Sequence, residues 1–149
     1  MERIAVFVND ATHARHLLQP MLGNGEPTHW ILVACPPTLT RHIGRWVSQA
    51  ARQAWRERWS DELLSQLVPE LGAQAGNKVE RLIAGKPLRD VSARLAARLP
   101  GLRLLDARRP TLGKPDEPLT ALQPPDSGGR WAGTVALASG FTAVLALAD

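Results

Sequence analysis

The sequence predicts an α/β fold: a five-stranded parallel sheet, doubly wound as a three-layer α/β/α sandwich. Two observations predict it. Five short apolar runs, each bounded by turn residues, have the pattern of strands buried on both faces. Segments with helical spacing lie between them, and strand–helix alternation implies parallel strands joined by right-handed crossovers. A length of 149 residues fits one domain, residues 1–149, which can bury about two-thirds of its unfolded surface.

The elements follow in order. Ile4–Val8 (IAVFV) is the first strand, closed by the polar Asn9-Asp10. Thr12 is placed to cap a helix over His13–Leu22. Trp30–Cys35 (WILVAC) is the second strand, stopped by Pro36-Pro37. Thr38 or Thr40 is placed to cap a longer helix from Arg41 onward. Ile43, Val47, Ala50 and Ala54 share a stripe there, continued by Trp55, Trp59, Leu63 and Leu67. Pro69 is expected to kink or end that helix, with Gly72 beyond. Val79–Ala84 is the third strand, ending at Gly85. Pro87 opens a helix with Leu88, Val91, Leu95 and Leu99 on one face, and Pro100-Gly101 stops it. Leu102–Leu105 is the fourth strand. Ala107–Arg130 holds five prolines and three glycines without periodicity, and a loop of that length is either functional or mobile. Trp131–Ser139 reads as a short Ala-rich helix ended by Gly140, and Phe141–Ala148 as the fifth strand.

Composition narrows the function classes. Hydrophobic residues are 44% and charged residues 21%, which excludes a wholly disordered chain. No run of 18 apolar residues occurs, so no membrane span is expected. Met-Glu-Arg leads straight into the first strand, without the flanks of a signal peptide. Cys35 is the only cysteine, so a disulfide framework or multi-cysteine zinc site is excluded and a cytoplasmic location is the expectation. The net charge is +4, and fifteen of the eighteen basic residues are Arg. That skew fits either phosphate recognition or a coding bias, and it identifies no site.

Ligands of doubly wound sheets bind outside the carboxyl ends of the strands, where strand order reverses. The rule nominates Asn9, Asp10 and Thr12 after the first strand, Cys35 after the second and Gly85 after the third. After the fourth it nominates Asp106, Arg108 and Arg109. Asp10 has the chemistry to accept from a base or ribose hydroxyl, or alternatively to cap a helix. Arg108 and Arg109 have the chemistry to clamp a phosphate, or alternatively to stay solvated. Neither GxGxxG after the first strand nor GxxxxGK[ST] is present, so the dinucleotide and Walker phosphate signatures are missing. Gly128-Gly129 and Gly133-Thr134 precede or open the expected last helix, where free N–H groups favour an anion. His13 and His16 share a helical face but lack a third convergent ligand beyond Asp10, so no metal site is assigned. No nucleophile motif is found and no catalytic residue is named; Cys35 reads as a small buried hydrophobe. Arg41, Arg45, Arg52 and Arg56, interleaved with Trp46, Trp55 and Trp59, form a basic stripe. It reads as the wet face of a surface helix ahead of a nucleic-acid track. The apolar last strand, without Lys or Pro to protect an edge, points to a homodimer through that strand.

The sequence resembles the universal stress protein family. The resemblance lies in Ile4–Asp10, in Trp30–Pro37 followed by a long helix, in Val79–Leu99 with its Gly85-Lys86-Pro87 turn, in Leu102–Leu105, and in the closing Gly133-Thr134 through Ala148. It implies strand order 3-2-1-4-5, dimerisation through the last strand and a non-catalytic stress-response or regulatory role. ATP-binding members carry Gly-x2-Gly-x9-Gly-(Ser/Thr) after the fourth strand; here only Gly133-Thr134 matches it, which identifies a divergent member. The implied ligand is ATP, another adenine nucleotide or a phosphate-bearing molecule. Asp10 would meet its base or ribose, Gly133 and Thr134 its phosphates, and Arg108 or Arg109 would replace the missing glycine amides. The competing readings are a slow adenine-nucleotide hydrolase using Asp106 or His13, and a nucleic-acid module using the basic stripe.

Overall fold

Alternation along the strands sorts the apolar residues into two layers, and the layers dictate where the helices lie. The computed structural model describes residues 1–23, 25–38, 46–85, 87–110, 117–120, 131–138 and 141–145. Strands β1 (Glu2–Val8), β2 (Thr28–Ala34), β3 (Lys78–Ile83) and β4 (Arg103–Asp106) form a parallel sheet in the order 3-2-1-4. Helices α1 (Ala11–Leu18) and α2 (Gln49–Gly72) cover one face, and α3 (Leu88–Arg98) covers the other. Ile4, Val6 and Val8 of β1, with Trp30 and Leu32 of β2, pack on Leu18 of α1 and on Leu64, Leu67 and Leu71 of α2. The intervening Ala5, Phe7, Ile31 and Val33 pack on Leu88, Val91 and Leu95 of α3. Two-residue periodicity thus feeds both cores from the same two strands, as expected of a sheet buried on both sides.

Helix boundaries follow capping chemistry. Asp10, two residues before the expected Thr12, caps α1: its backbone is extended and its carboxylate accepts the His13 N–H at 2.9 Å. A 3₁₀ turn over Gln19–Met21 ends that segment. Ser48 caps α2 by accepting the Ala51 N–H at 3.1 Å, so this helix starts later than the Arg41 expected, and residues 39–45 lie outside the described ones. The helix also runs through Pro69 to Gly72. Proline there forfeits one ladder bond, but Leu67 and Leu71 on either side are both 1% exposed, and their burial holds the last turn in place. After α3, Gly101 takes a positive φ of 76° and turns the chain into β4.

The C-terminal quarter departs from expectation. Trp131–Ala138, read from its alanines as a helix, is strand β5, antiparallel to β4. Phe141–Leu145 is β6, antiparallel to β5, with Ala138 opposite Phe141. The expected fifth strand is therefore the sixth, paired antiparallel with β5 instead of parallel with β4, and the sheet order is β3-β2-β1-β4-β5-β6. For β5 and β6 the physical reason is connection length: a parallel partner needs a crossover of a dozen or more residues, whereas two residues suit a hairpin. Thr134 and Val135, both β-branched, sit at the centre of a segment whose alanines alone suggested helix. Residues 146–149 of the expected strand lie outside the described ones.

Candidate functional site

The order 3-2-1-4 puts the reversal between β1 and β4, so the crevice lies beyond Val8 and Asp106. Three backbone bonds extend the sheet by one residue here: Ala107 N–H to Phe7 O at 2.9 Å, Cys35 N–H to Val8 O at 2.8 Å, and Ala84 N–H to Ala34 O at 2.8 Å. They fix where the following side chains emerge.

On the α3 side the crevice is filled from within. Asp106 is 1% exposed and Arg108 5%. Arg108 grips Asp106 with both arms of its guanidinium, Nε to Oδ1 at 2.9 Å and Nη2 to Oδ2 at 3.0 Å. The Arg108 N–H adds a third bond to Oδ1 at 3.2 Å. Nη2 also donates to the Glu117 carbonyl at 2.6 Å, while the Glu117 carboxylate accepts the Leu88 N–H at 2.8 Å. Glu117 therefore caps α3 from the long loop, because Pro87 at the N-cap position offers no side-chain acceptor. Leu119, fully buried in the second core, pins the same stretch of loop. Cys35 faces this cluster. Burial pushes its thiol up from its ordinary value of 9.0 to about 12, against the pull of Arg108 and with the help of Asp106 and Glu117. Such a thiol is not a nucleophile at neutral pH.

On the α1 side, Asn9 ties the loop after β4 to the end of β1. Its Oδ1 accepts the Arg109 N–H at 2.6 Å and its Nδ2 donates to the Arg109 carbonyl at 3.3 Å. Asp10 is occupied as the cap of α1, and the exposed Arg109 guanidinium approaches it at 3.8 Å. Beside them lies an open hollow of about 290 Å³ between Asn9–Thr12 and the Trp59–Gln66 flank of α2. Asp10 and Glu62 both line it, so the hollow opposes a phosphate despite the nearby N-terminus of α1.

The structure thus brings Cys35, Asp106 and Arg108 together, and brings Asn9, Asp10 and Arg109 together. Thr12 lines the hollow beside Asn9 and Asp10, whereas Gly85, Gly133 and Thr134 are not brought to either group. Gly85 lines a second hollow between β3 and α3, and no atom lies within 4 Å of where a Cβ would stand, so no close approach demands glycine there. Gly133 and Thr134 are mid-strand in β5, opposite Leu104 and Arg103 of β4, away from its carboxyl end and at no helix N-terminus. Of the basic stripe, Arg41 and Arg45 lie outside the described residues, while Arg56 turns inward and donates to the Ala84 carbonyl at 2.6 Å. The sequence reading missed Glu117; its signal was the capless N-terminus at Pro87. Among the described residues no group of three His, Cys, Asp or Glu is placed to hold a metal ion, and no helix is long and apolar enough to cross a membrane. No protein-family model matches the chain, and comparisons with curated proteins and with solved structures return no match either.

Proposed function

We propose that the chain is a non-catalytic regulatory module of universal-stress-protein type, with nucleotide binding weak at best. One observation carries this reading: the Asp106–Arg108 pair, Asn9 and the Asp10 carboxylate at the strand-reversal crevice are already bonded to other groups of the chain. Arg108 closes on Asp106, Asn9 on Arg109, and Asp10 on the first turn of α1. A phosphate would have to displace a bidentate buried pair, and the adjacent open hollow presents two carboxylates. The parallel 3-2-1-4 core agrees with the order that the family resemblance implies for its first four strands.

A homodimer through the C-terminal strand belongs to the same proposal. Among the described residues β6 has a sheet neighbour on one side only, which leaves its other edge open for a two-fold copy. Native mass spectrometry of freshly purified protein tests both parts. The expected result is a dimer mass without nucleotide, and ATP turnover no higher than in a protein-free control. A nucleotide retained at full occupancy, or turnover abolished by Asp10→Ala, would overturn the reading. A monomer would remove the dimer.

A further inference from the structure

The outer edge of β3 and the flank of α3 beside it take no part in the crevice. Ala84 donates to Ala34 of β2, so the even-numbered residues of β3 turn their backbone groups toward β2. Val79, Arg81 and Ile83 turn theirs the other way, where the sheet order ends among the described residues. Such a row of donors and acceptors is a template for an added strand.

Side chains around this edge give the added strand a character. Val79 packs into the first core and Leu82 against the second, so odd positions face α2 and even positions face α3. On the α3 side a groove of about 280 Å³ has Leu82, Val91 and Leu95 as its apolar floor and Arg94 and Arg98 at its rim. Arg98 shares Glu80, at 3.2 Å, with His29, at 2.6 Å. Among the described residues Arg94 donates from Nε to a carbonyl of its own helix, Asp90 O at 3.3 Å. Arg81 reaches Asp61 at 3.9 Å, with that carboxylate 74% exposed and hence well screened. With Lys78 at the head of the strand, cations outnumber carboxylates along the edge.

We propose that this edge binds an extended acidic peptide as an added strand. The peptide backbone pairs with Val79, Arg81 and Ile83, and its carboxylates meet Arg94 and Arg98. Charge complementarity selects this occupant over a second copy of the chain. A two-fold pair of β3 strands centred on Glu80 or Arg81, the two registers that pair most of the strand, sets a like charge directly against itself. Strand addition supplies affinity through the main chain, and the arginines supply the preference for acid.

The test uses the full chain and a fluorescein-labelled, end-capped (Val-Glu)4 peptide, read by anisotropy. Saturable binding is expected, at least ten-fold tighter than for (Val-Lys)4. Arg94→Glu, an exposed position, is expected to weaken it at least ten-fold while leaving the urea melt unchanged. Two further peptides carry N-methyl groups on every Val or on every Glu. One of the two is expected to lose binding with all its side chains intact. Bound peptide is also expected to slow amide exchange at Val79, Arg81 and Ile83. Absence of saturable binding, equal binding of the lysine peptide, or binding indifferent to both N-methylation patterns would each overturn the proposal. These outcomes are independent of whether a nucleotide binds at the β1/β4 crevice.

Discussion

Removing the Asp106 carboxylate is the sharpest perturbation of the crevice. Asp106→Ala deletes two side-chain bonds from Arg108 and a bond from its N–H, and takes the Asp106 carboxylate away from a guanidinium that is 5% exposed. Breaking one side of a buried pair costs about 3–5 kcal/mol, because the surviving charge keeps its desolvation penalty. Arg108 retains the Glu117 carbonyl at 2.6 Å, which places the expectation at the lower end, about 3 kcal/mol. For a domain of this size each kcal/mol lowers Tm by about 2–4 °C, so the expected drop is about 10 °C. Urea unfolding followed by tryptophan fluorescence measures the free-energy loss, and a thermal melt the drop in Tm, with the core residue Trp30 as a reporter. The control is Asp106→Leu combined with Arg108→Met, which removes both charges at similar volume and is expected to recover to within about 1 kcal/mol of wild type. A single variant within about 1 kcal/mol of wild type would refute the buried-charge argument. A double variant no better than the single would show that shape, not charge, governs the site.

Other predictions follow from the same geometry. At pH 8 a thiol raised to about 12 is ionised about a thousand-fold less than a free one, so iodoacetamide should label Cys35 correspondingly slowly in the folded chain and at the ordinary rate in urea. The sign for stability is set by the upward shift: the neutral thiol suits the fold, so its contribution is intact below pH 9 and is lost as pH rises toward 12. Cys35→Ala should flatten that decline in a pH series of urea melts. Asp10→Ala removes the cap of α1 and should cost about 1 kcal/mol, whereas Asp10→Asn should cost only a few tenths. Asn9→Ala should cost about 1–2 kcal/mol and should speed amide exchange at Arg109, whose N–H loses its acceptor. An unchanged Arg109 exchange rate would show that Asn9 does not hold the loop.

The parallel half of the fold was legible because its strands are buried on both faces. IAVFV and WILVAC leave no polar position to mislead the reading, and Leu88, Val91 and Leu95 recur at helical spacing. The antiparallel end was not legible, because alanine is compatible with either state and its helix preference is a weak prior. The informative signal was the two-residue Ser139-Gly140 between apolar runs, a connection too short for a parallel return. At the site, position along the chain put Asp106, Arg108, Asn9 and Arg109 at the carboxyl ends of β1 and β4, where the structure has them. It did not disclose that these residues pair with one another. Arg108 lies only two residues from Asp106, and that spacing serves equally for a shared ligand or for a local clamp. Burial decides between them, and burial depended on Glu117 and Leu119, which the unpatterned loop after β4 gave no means to place.

The arginine excess can now be interpreted by location. Arg3 donates to the Pro100 carbonyl, Arg15 binds Glu70, Arg56 holds Ala84 O and Arg103 pairs with Glu2. Each of these joins chain segments far apart in sequence. A guanidinium can do this where an ammonium does so poorly, because its planar fork meets two acceptors and its long stem packs on apolar surface. Much of the skew therefore braces the domain instead of forming a phosphate track. The exceptions give the argument its direction. Among the described residues Arg81 meets only the exposed Asp61 carboxylate at 3.9 Å, Arg94 donates to a carbonyl of its own helix, and both stand beside an open strand edge. If arginine were present only as bracing, Arg81→Gln and Arg94→Gln would cost nothing and change nothing. If the edge is a binding surface, the two variants should still leave stability within about 0.5 kcal/mol of wild type. Arg94→Gln, on the α3 side where the peptide's carboxylates lie, should nevertheless reduce the preference for an acidic over a basic peptide, a loss that bracing alone cannot produce.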